Sequence, residues 1–302
     1  MTYPKKIEIV EVCPRDGFQN VNDFIETSHK IEIIKKLIDA NFKRIEITSF
    51  VSPKAIPQMA DASEVVKAVR EYSKDKNVQL MALVPNQRGV EAAVEAGVNQ
   101  INYVISVSEQ HNMANVKRSV ADSMAQFKTL IEANGSLVDF RLGLATTFGC
   151  PFGEKIELKK IREMCAWAFD LGTKEILLAD TVGLGNPMRV HEVVSTLVKE
   201  FGADRFIMHM HDTRGLALVN ILAAMEYGIY KVESAVGGLG GCPFAPGAAG
   251  NVATEDVINM IHSMGNDTGI NIDAIKQALN LIQLHVNAKT VSHMSQLKEY
   301  KI

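Results

Sequence analysis

Eight short apolar runs with β character recur along the chain, at 7–12, 44–50, 78–84, 100–106, 139–146, 175–181, 205–211 and 231–238. The segments between them have a helical period. Ile31, Ile34, Leu37 and Ile38, for example, form an i, i+3, i+6, i+7 stripe with lysines opposite. Gly97, Gly172 and Gly228 fall just ahead of the next strand, where helices commonly end on glycine. Alternation of strand and helix implies parallel pairing. Eight such units predict a closed (β/α)8 barrel of the TIM type, with an open doubly wound sheet as the alternative arrangement of the same alternation. Past the eighth run, 254–264 and 271–283 read as helices, the first with acidic groups in its opening turn. The expectation is one catalytic barrel domain over 1–302, with 251–302 as a C-terminal helical extension packed at the barrel mouth. No Ser/Pro-rich linker or charge block suggests a second domain.

The bulk numbers narrow the class. The chain has 302 residues, 47% of them apolar and 22% charged, which is ordinary for a globular protein with a large core. A net charge of −3 supplies no global field for nucleic acid or an anionic membrane. Cys13, Cys150, Cys165 and Cys242 lack C-x-x-C spacing, so neither a zinc site nor a disulfide framework is expected. Scattered cysteines suit a reducing compartment, and no leader-like block or ~20-residue apolar run is present, so a soluble, cytoplasmic protein is expected.

In a barrel of this type, chemistry sits at the C-terminal ends of the strands. Unusual polar groups collect there: Cys13-Pro14-Arg15-Asp16-Gly17 after the first strand, Glu46 within the second, Asp180 ending the sixth, His209-Met210-His211-Asp212 ending the seventh. After the eighth comes Gly237-Gly238-Leu239-Gly240-Gly241-Cys242-Pro243, with Asn251 close behind. His209 and His211 stand two apart, so on a strand both imidazoles leave the same face. If that face is the barrel interior, they form a candidate pair of metal ligands rather than two packed core histidines. Asp16 can add a carboxylate and Asn251 an amide oxygen, a donor set suited to Mg²⁺ or Mn²⁺. Asp16-Gly17 taken alone also reads as a turn, and Arg15–Asp16 as a surface ion pair. Glu46 is different. A carboxylate inside an apolar strand is costly unless paired, and Arg15 is its natural partner. The glycine-rich segment reads either as an anion cradle or as a mobile loop carrying Cys242 over the site; it lacks the phosphate-loop fingerprint.

These motifs together resemble the 3-hydroxy-3-methylglutaryl-CoA lyase family along nearly the whole chain. The resemblance runs from Cys13-Pro14-Arg15-Asp16-Gly17, through Ile45-Glu46-Ile47-Thr48-Ser49-Phe50-Val51-Ser52-Pro53-Lys54, to Asn287-Ala288-Lys289-Thr290. Gly-Leu-Gly-Gly-Cys-Pro at 238–243 is its most specific element. The family segment usually reads Ser-Val-Ala/Ser-Gly-Leu-Gly-Gly-Cys-Pro-Tyr, from which this chain departs at Ala235, Gly237 and Phe244. The resemblance implies the same barrel, a homodimer, an acyl-CoA substrate and a divalent cation held by Asp16, His209, His211 and Asn251. It implies catalytic roles for Arg15, Glu46, Asp180, His209 and Cys242, and coenzyme A binding by Asn287 and Lys289 together with Arg15 at the substrate.

The implied reaction cleaves 3-hydroxy-3-methylglutaryl-CoA to acetoacetate and acetyl-CoA. A metal would fix the tertiary hydroxyl, Asp180 or His209 would take its proton, Arg15 oriented by Glu46 would hold the developing enolate oxygen, and Cys242 would protonate carbon. The alternatives are a lyase for a different 3-alkyl substituent, a barrel synthase condensing acetyl-CoA with a 2-oxo acid, and a noncatalytic acyl-CoA-binding barrel. The synthases lack the Gly-Leu-Gly-Gly-Cys-Pro loop and usually carry a longer C-terminal region.

Overall fold

A computed structural model describes residues 3–241 and 250–297. Eight parallel strands close into a barrel in sequence order. They are β1 (Glu8–Glu11), β2 (Arg44–Ser49), β3 (Gln79–Leu83), β4 (Gln100–Ser106), β5 (Asp139–Ala145), β6 (Ile176–Asp180), β7 (Phe206–Met210) and β8 (Lys231–Ser234). The expected closed barrel is therefore the observed one, and the open sheet is excluded. Most strands end a residue or more inside the expected runs. His211 lies just past β7 and is held by an antiparallel bridge to Asn251.

The helices between the strands are α1 (Thr27–Asp39), α2 (Ala62–Ser73), α3 (Gln87–Ala96), α4 (Glu109–Val116), α5 (Val120–Asn134), α6 (Leu158–Asp170), α7 (Pro187–Phe201) and α8 (Ala217–Met225), followed by α9 (Thr254–Ser263) and α10 (Ile272–His285). In α1 the buried face is Ile33, Ile34, Leu37 and Ile38, with Ile31 at its edge. Lys30 joins that face, its Nζ bonded 2.9 Å from Asp61 Oδ2. The two C-terminal helices divide their work. α9 is the helix that follows β8 and completes the ring. α10 packs along α1 in the helix layer. It starts where Asn271 N donates to Ala40 O at the foot of the barrel, and the chain after it reaches the mouth, where Val291 N donates to Gly237 O.

The barrel is closed below by buried ion pairs and propped above by buried carboxyl groups. At the foot, Arg44 joins Glu8 and Glu175 at 2.5 Å each, and Lys231 joins Glu175. At the rim, the chain after β8 is tied down by carboxylates. Glu11 accepts from Cys13 N (2.8 Å), Val236 N (3.1 Å) and Thr254 Oγ1 (2.7 Å), and Glu255 accepts from Gly237 N at 3.1 Å. These amides are therefore spent on the protein's own carboxylates, which removes them from an anion cradle. Burial raises the Glu11 carboxyl to about 8 despite its three donors.

A folded-state value of about 8 against an ordinary 4.5 means the folded protein prefers neutral Glu11. Its contribution to stability is present below pH ~4.5 and is lost as the pH rises towards 8. Glu11→Gln, a neutral isostere, should match the wild type near pH 5 and exceed it in Tm by a growing margin up to pH 8. A variant less stable than the wild type at pH 8 would refute this account of the rim.

Candidate active site

The turn Cys13–Gly17 after β1 projects Arg15 and Asp16 over the barrel mouth. Val12 O accepts from Arg15 N (3.2 Å), Asp16 N (2.8 Å) and Gly17 N (3.4 Å), so the turn winds tightly on one carbonyl. Asp16 meets His209 and His211 there. The two Nε2 atoms are 3.1 Å apart, and each lies 4.0 Å from Asp16 Oδ2. All three side chains are buried, and one ligand atom of each lies within 4.8 Å of the others. Asn251 completes the group from the far side: its Nδ2 donates to Asp16 Oδ2 (2.6 Å) and Leu239 O (3.1 Å). Its Oδ1 is buried without a hydrogen-bond partner among the described residues. Gly240 makes this possible. It sits at φ +133°, and an added Cβ would stand 2.5 Å from Asn251 Nδ2.

The donor set fits a divalent cation. Two imidazole nitrogens facing each other at 3.1 Å need a shared proton or a shared cation, and an orphaned amide oxygen beside a carboxylate is an unfilled ligand. Burial pushes the Asp16 carboxyl up, but Arg15, His209, His211 and the Asn251 bond outweigh it and bring it to about 2. Asp16 is thus ionised. Burial together with His209 lowers His211 to about 4, so its imidazole is neutral, the form that can donate to a cation.

Behind this group runs a buried chain of charges. Arg15 Nε donates to Glu46 Oε2 at 2.6 Å, and its NH1 donates to Asp16 Oδ1 at 2.5 Å. Glu46 Oε1 accepts from Asn102 Nδ2 (2.9 Å) and lies 3.9 Å from Arg141 NH2. Arg141 also bonds Glu233 Oε1, and Glu233 Oε2 holds His209 Nδ1 at 2.8 Å. Arg141, Glu46 and Glu233 are inaccessible to solvent at their side chains. Burial alone would raise Glu233, yet Arg141 and then His209 bring it to about 2. An ionised Glu233 keeps the proton on His209 Nδ1 and leaves Nε2 directed at Asp16, which is how a carboxylate prepares an imidazole to bind a metal.

A cavity of about 630 Å³ opens above these residues, lined by Arg15, Asp16, His209, His211 and Gly241 among others. The sequence expectations for Arg15, Asp16, Glu46, His209, His211 and Asn251 thus meet in one place. Three expectations fall elsewhere. Asp180 points away from the cavity: its oxygens accept Leu184 N (2.8 Å) and Gly185 N (3.0 Å), and its neighbours Ala179 and Thr181 line the cavity instead. Its carboxyl, raised to about 6 by burial, fastens the β6–α7 loop. Asn287 and Lys289 are exposed in the segment after α10, with Asn287 Nδ2 on Asp23 Oδ2 at 2.7 Å; neither lines this cavity. Cys242 lies outside the described residues. Arg141, Glu233 and Asn102 escaped the sequence reading. The rule that singled out Glu46, a charge inside an apolar strand, applies equally to Arg141 and Glu233.

A closed (β/α)8 barrel with a buried nitrogen/oxygen ligand cluster at the C-terminal end of its strands defines a class of metal-assisted barrel enzymes. The HMGL-like family model matches residues 6–282, and the chain belongs to that family. It is 40% identical over 284 residues to the hydroxymethylglutaryl-CoA lyase of Bacillus subtilis (strain 168), covering 94% of each chain. It superposes on the crystal structure of the Bacillus subtilis HMG-CoA lyase with a TM-score of 0.94, at 39% identity and covering 98% and 99% of the two chains. An HMG-CoA lyase from Acinetobacter baumannii, solved in complex with coenzyme A and 3-methylmalate, matches at TM-score 0.93 and 38% identity over 100% of this chain and 99% of its own.

Glu233→Gln should weaken Mn²⁺ binding by about 10–100-fold in calorimetry, the usual effect of losing a carboxylate behind a ligating histidine. Unchanged affinity would separate Glu233 from the ligand group. Arg141→Met should destabilise the fold by roughly 3–5 kcal/mol, since it leaves Glu46 and Glu233 buried with less compensation; a stability change under ~1 kcal/mol would show that the buried chain carries little of the barrel's stability.

Proposed function

We propose that this protein cleaves 3-hydroxy-3-methylglutaryl-CoA to acetoacetate and acetyl-CoA. The observation that carries the reading is the Asp16–His209–His211 cluster standing beside the Arg15–Glu46 pair at one cavity. Family membership and the likeness to HMG-CoA lyases over nearly the whole chain support it. Asp16, His209, His211 and Asn251 Oδ1 would hold Mg²⁺ or Mn²⁺, which when bound supplies Lewis-acid polarisation of the substrate hydroxyl.

The chemistry then balances as a retro-Claisen cleavage. The C3 hydroxyl loses its proton and becomes a ketone, the C2–C3 electron pair passes into the thioester enolate, and the enolate carbon takes a proton to give acetyl-CoA. Arg15 places a fixed cation at the enolate oxygen. Glu46 holds the guanidinium in a dry setting, where such a charge acts most strongly. Of the two groups expected to accept the hydroxyl proton, Asp180 is committed to backbone amides, and His209, whose Nδ1 carries its proton toward Glu233, could accept only at Nε2 and only while that nitrogen does not hold the cation. Glu233 favours the charged imidazole: burial opposes it, but the bond to Glu233 raises the His209 pKa overall. On the family resemblance, Cys242 donates to the enolate carbon and Asn287 and Lys289 assist coenzyme A. The resemblance also supports a homodimer. No helix of the described residues is long and apolar enough to cross a membrane, and three free cysteines suit the reducing cytoplasm that we propose as its compartment.

With Mg²⁺ or Mn²⁺, the protein should release acetyl-CoA and acetoacetate from the thioester, and chelation should stop it. Arg15→Gln should lower kcat by at least ~10²–10³-fold while Mn²⁺ binding persists, because its charge acts chiefly in the transition state. Cys242→Ser should stay folded and lose about 10²–10⁴ of its rate. Release of free coenzyme A from acetyl-CoA and a 2-oxo acid, with the hydroxymethylglutaryl thioester left intact, would identify a synthase instead.

A further inference from the structure

Each of the eight strands contributes to the foot of the barrel either its first residue or the residue just before it, and all eight of these are polar. They line a bowl of about 880 Å³ at the N-terminal ends of the strands, the face opposite the Asp16–His209–His211 cluster. That face of a barrel ordinarily serves stability. Ion pairs account for part of the bowl: Arg44 with Glu8 and Glu175, Lys231 with Glu175, and Lys174 with Asp139 at 2.8 Å.

Those pairs leave two buried groups over. The Arg44 side chain is only 8% exposed, yet its NH2 has no hydrogen-bond partner among the described residues. Gln100 is 4% exposed, and its Oε1 is likewise without one. The two residues flank β3, where Arg44 pairs in register with Gln79 and Gln100 with Met81. Charge is also left over. Five cationic side chains and four carboxylates line the bowl, in a chain whose net charge is −3. Lys43 donates to Asn41 Oδ1 at 2.7 Å, and Arg205 donates to the carbonyls of Lys174 (2.9 Å) and Thr173 (3.0 Å); neither makes an ion pair among the described residues.

A buried guanidinium nitrogen calls for an anionic oxygen, and a buried amide oxygen calls for a donor. Sulfate and simple carboxylates supply only the first. Hydrogen phosphate and the hydroxy acids supply both on one small frame. We propose that the foot of the barrel is a second ligand site, which binds a small oxyanion that also bears a hydroxyl group. The anionic oxygens take Arg44 NH2, with Lys43 and Arg205 at the bowl's edge, and the hydroxyl donates to Gln100 Oε1. The site is separate from the reaction at the other face. Its ligand stabilises the folded barrel by mass action, because the bowl exists only when all eight strands are closed.

Two matched pairs of probes test this, inorganic phosphate against sulfate and glycolate against acetate, each titrated into the protein with Mg²⁺ present at pH 7. In at least one pair the hydroxyl-bearing member should raise Tm and bind about tenfold more tightly than its partner, the worth of one hydrogen bond between a charged and a neutral group. The pair that shows the difference tells phosphate from hydroxy acid. Gln100→Leu should erase the difference, and Lys43→Ala with Arg205→Met should weaken all four probes. Asp16→Asn, at the opposite face, should leave the preference in place. If Gln100→Leu does not fold, the wild-type pairs and the Lys43/Arg205 variant decide. Equal binding within both pairs, or binding unmoved by the foot variants, would mean an adventitious ion only and overturn the site. Loss of the preference in Asp16→Asn would place the anion at the metal-type cluster and overturn it as well.

Discussion

The site at the mouth of this barrel depends on four charged side chains and a histidine buried in its interior. Arg15, Glu46, Arg141, Glu233 and His209 form one run from the turn after β1, across β2, β5 and β8, to β7. Removing a member leaves its neighbours buried with less compensation, which is costlier than losing a surface pair. The run also fixes function. At one end it holds the guanidinium that faces the cavity, and at the other it sets the tautomer of a metal-type histidine. Stability and site geometry are therefore the same set of contacts, and the outward face of the run is what a ligand meets.

The rim above is held by a different device. Glu11 and Glu255 are buried carboxylates that accept backbone amides from the chain entering the glycine-rich segment. Their bonds bring Gly237 and Gly238 into left-handed conformations, at φ +74° and +65°. Gly240 then passes over the Asn251 amide and delivers Gly241 to the cavity edge. Here glycine is required by backbone shape and close approach. Asp180 plays a similar anchoring part on β6. A carboxylate at the end of a barrel strand is thus not catalytic by position alone: the direction in which its strand's pleat points it decides.

Much of this was legible in the sequence because the underlying rules are local. Strand and helix periods, glycine at helix ends and the sequence of eight units predict the barrel. The two-residue period puts His209 and His211 on one face. The cost of a lone carboxylate in an apolar run pairs Glu46 with Arg15, and the structure shows that bond. Other features required closure of the barrel. A period of two tells that neighbours alternate, but not which of them faces inward; for β6 that phase is set by its register with β7, where Ala179 pairs with His209 and turns Asp180 outward. Arg141 and Glu233 are 92 residues apart and become partners only when β5 and β8 face each other across the interior. Asn251 reaches Asp16 over 235 residues of chain. Local chemistry determined which side chains needed partners, and only the closed barrel, by bringing distant strands within bonding distance, decided which partners they found.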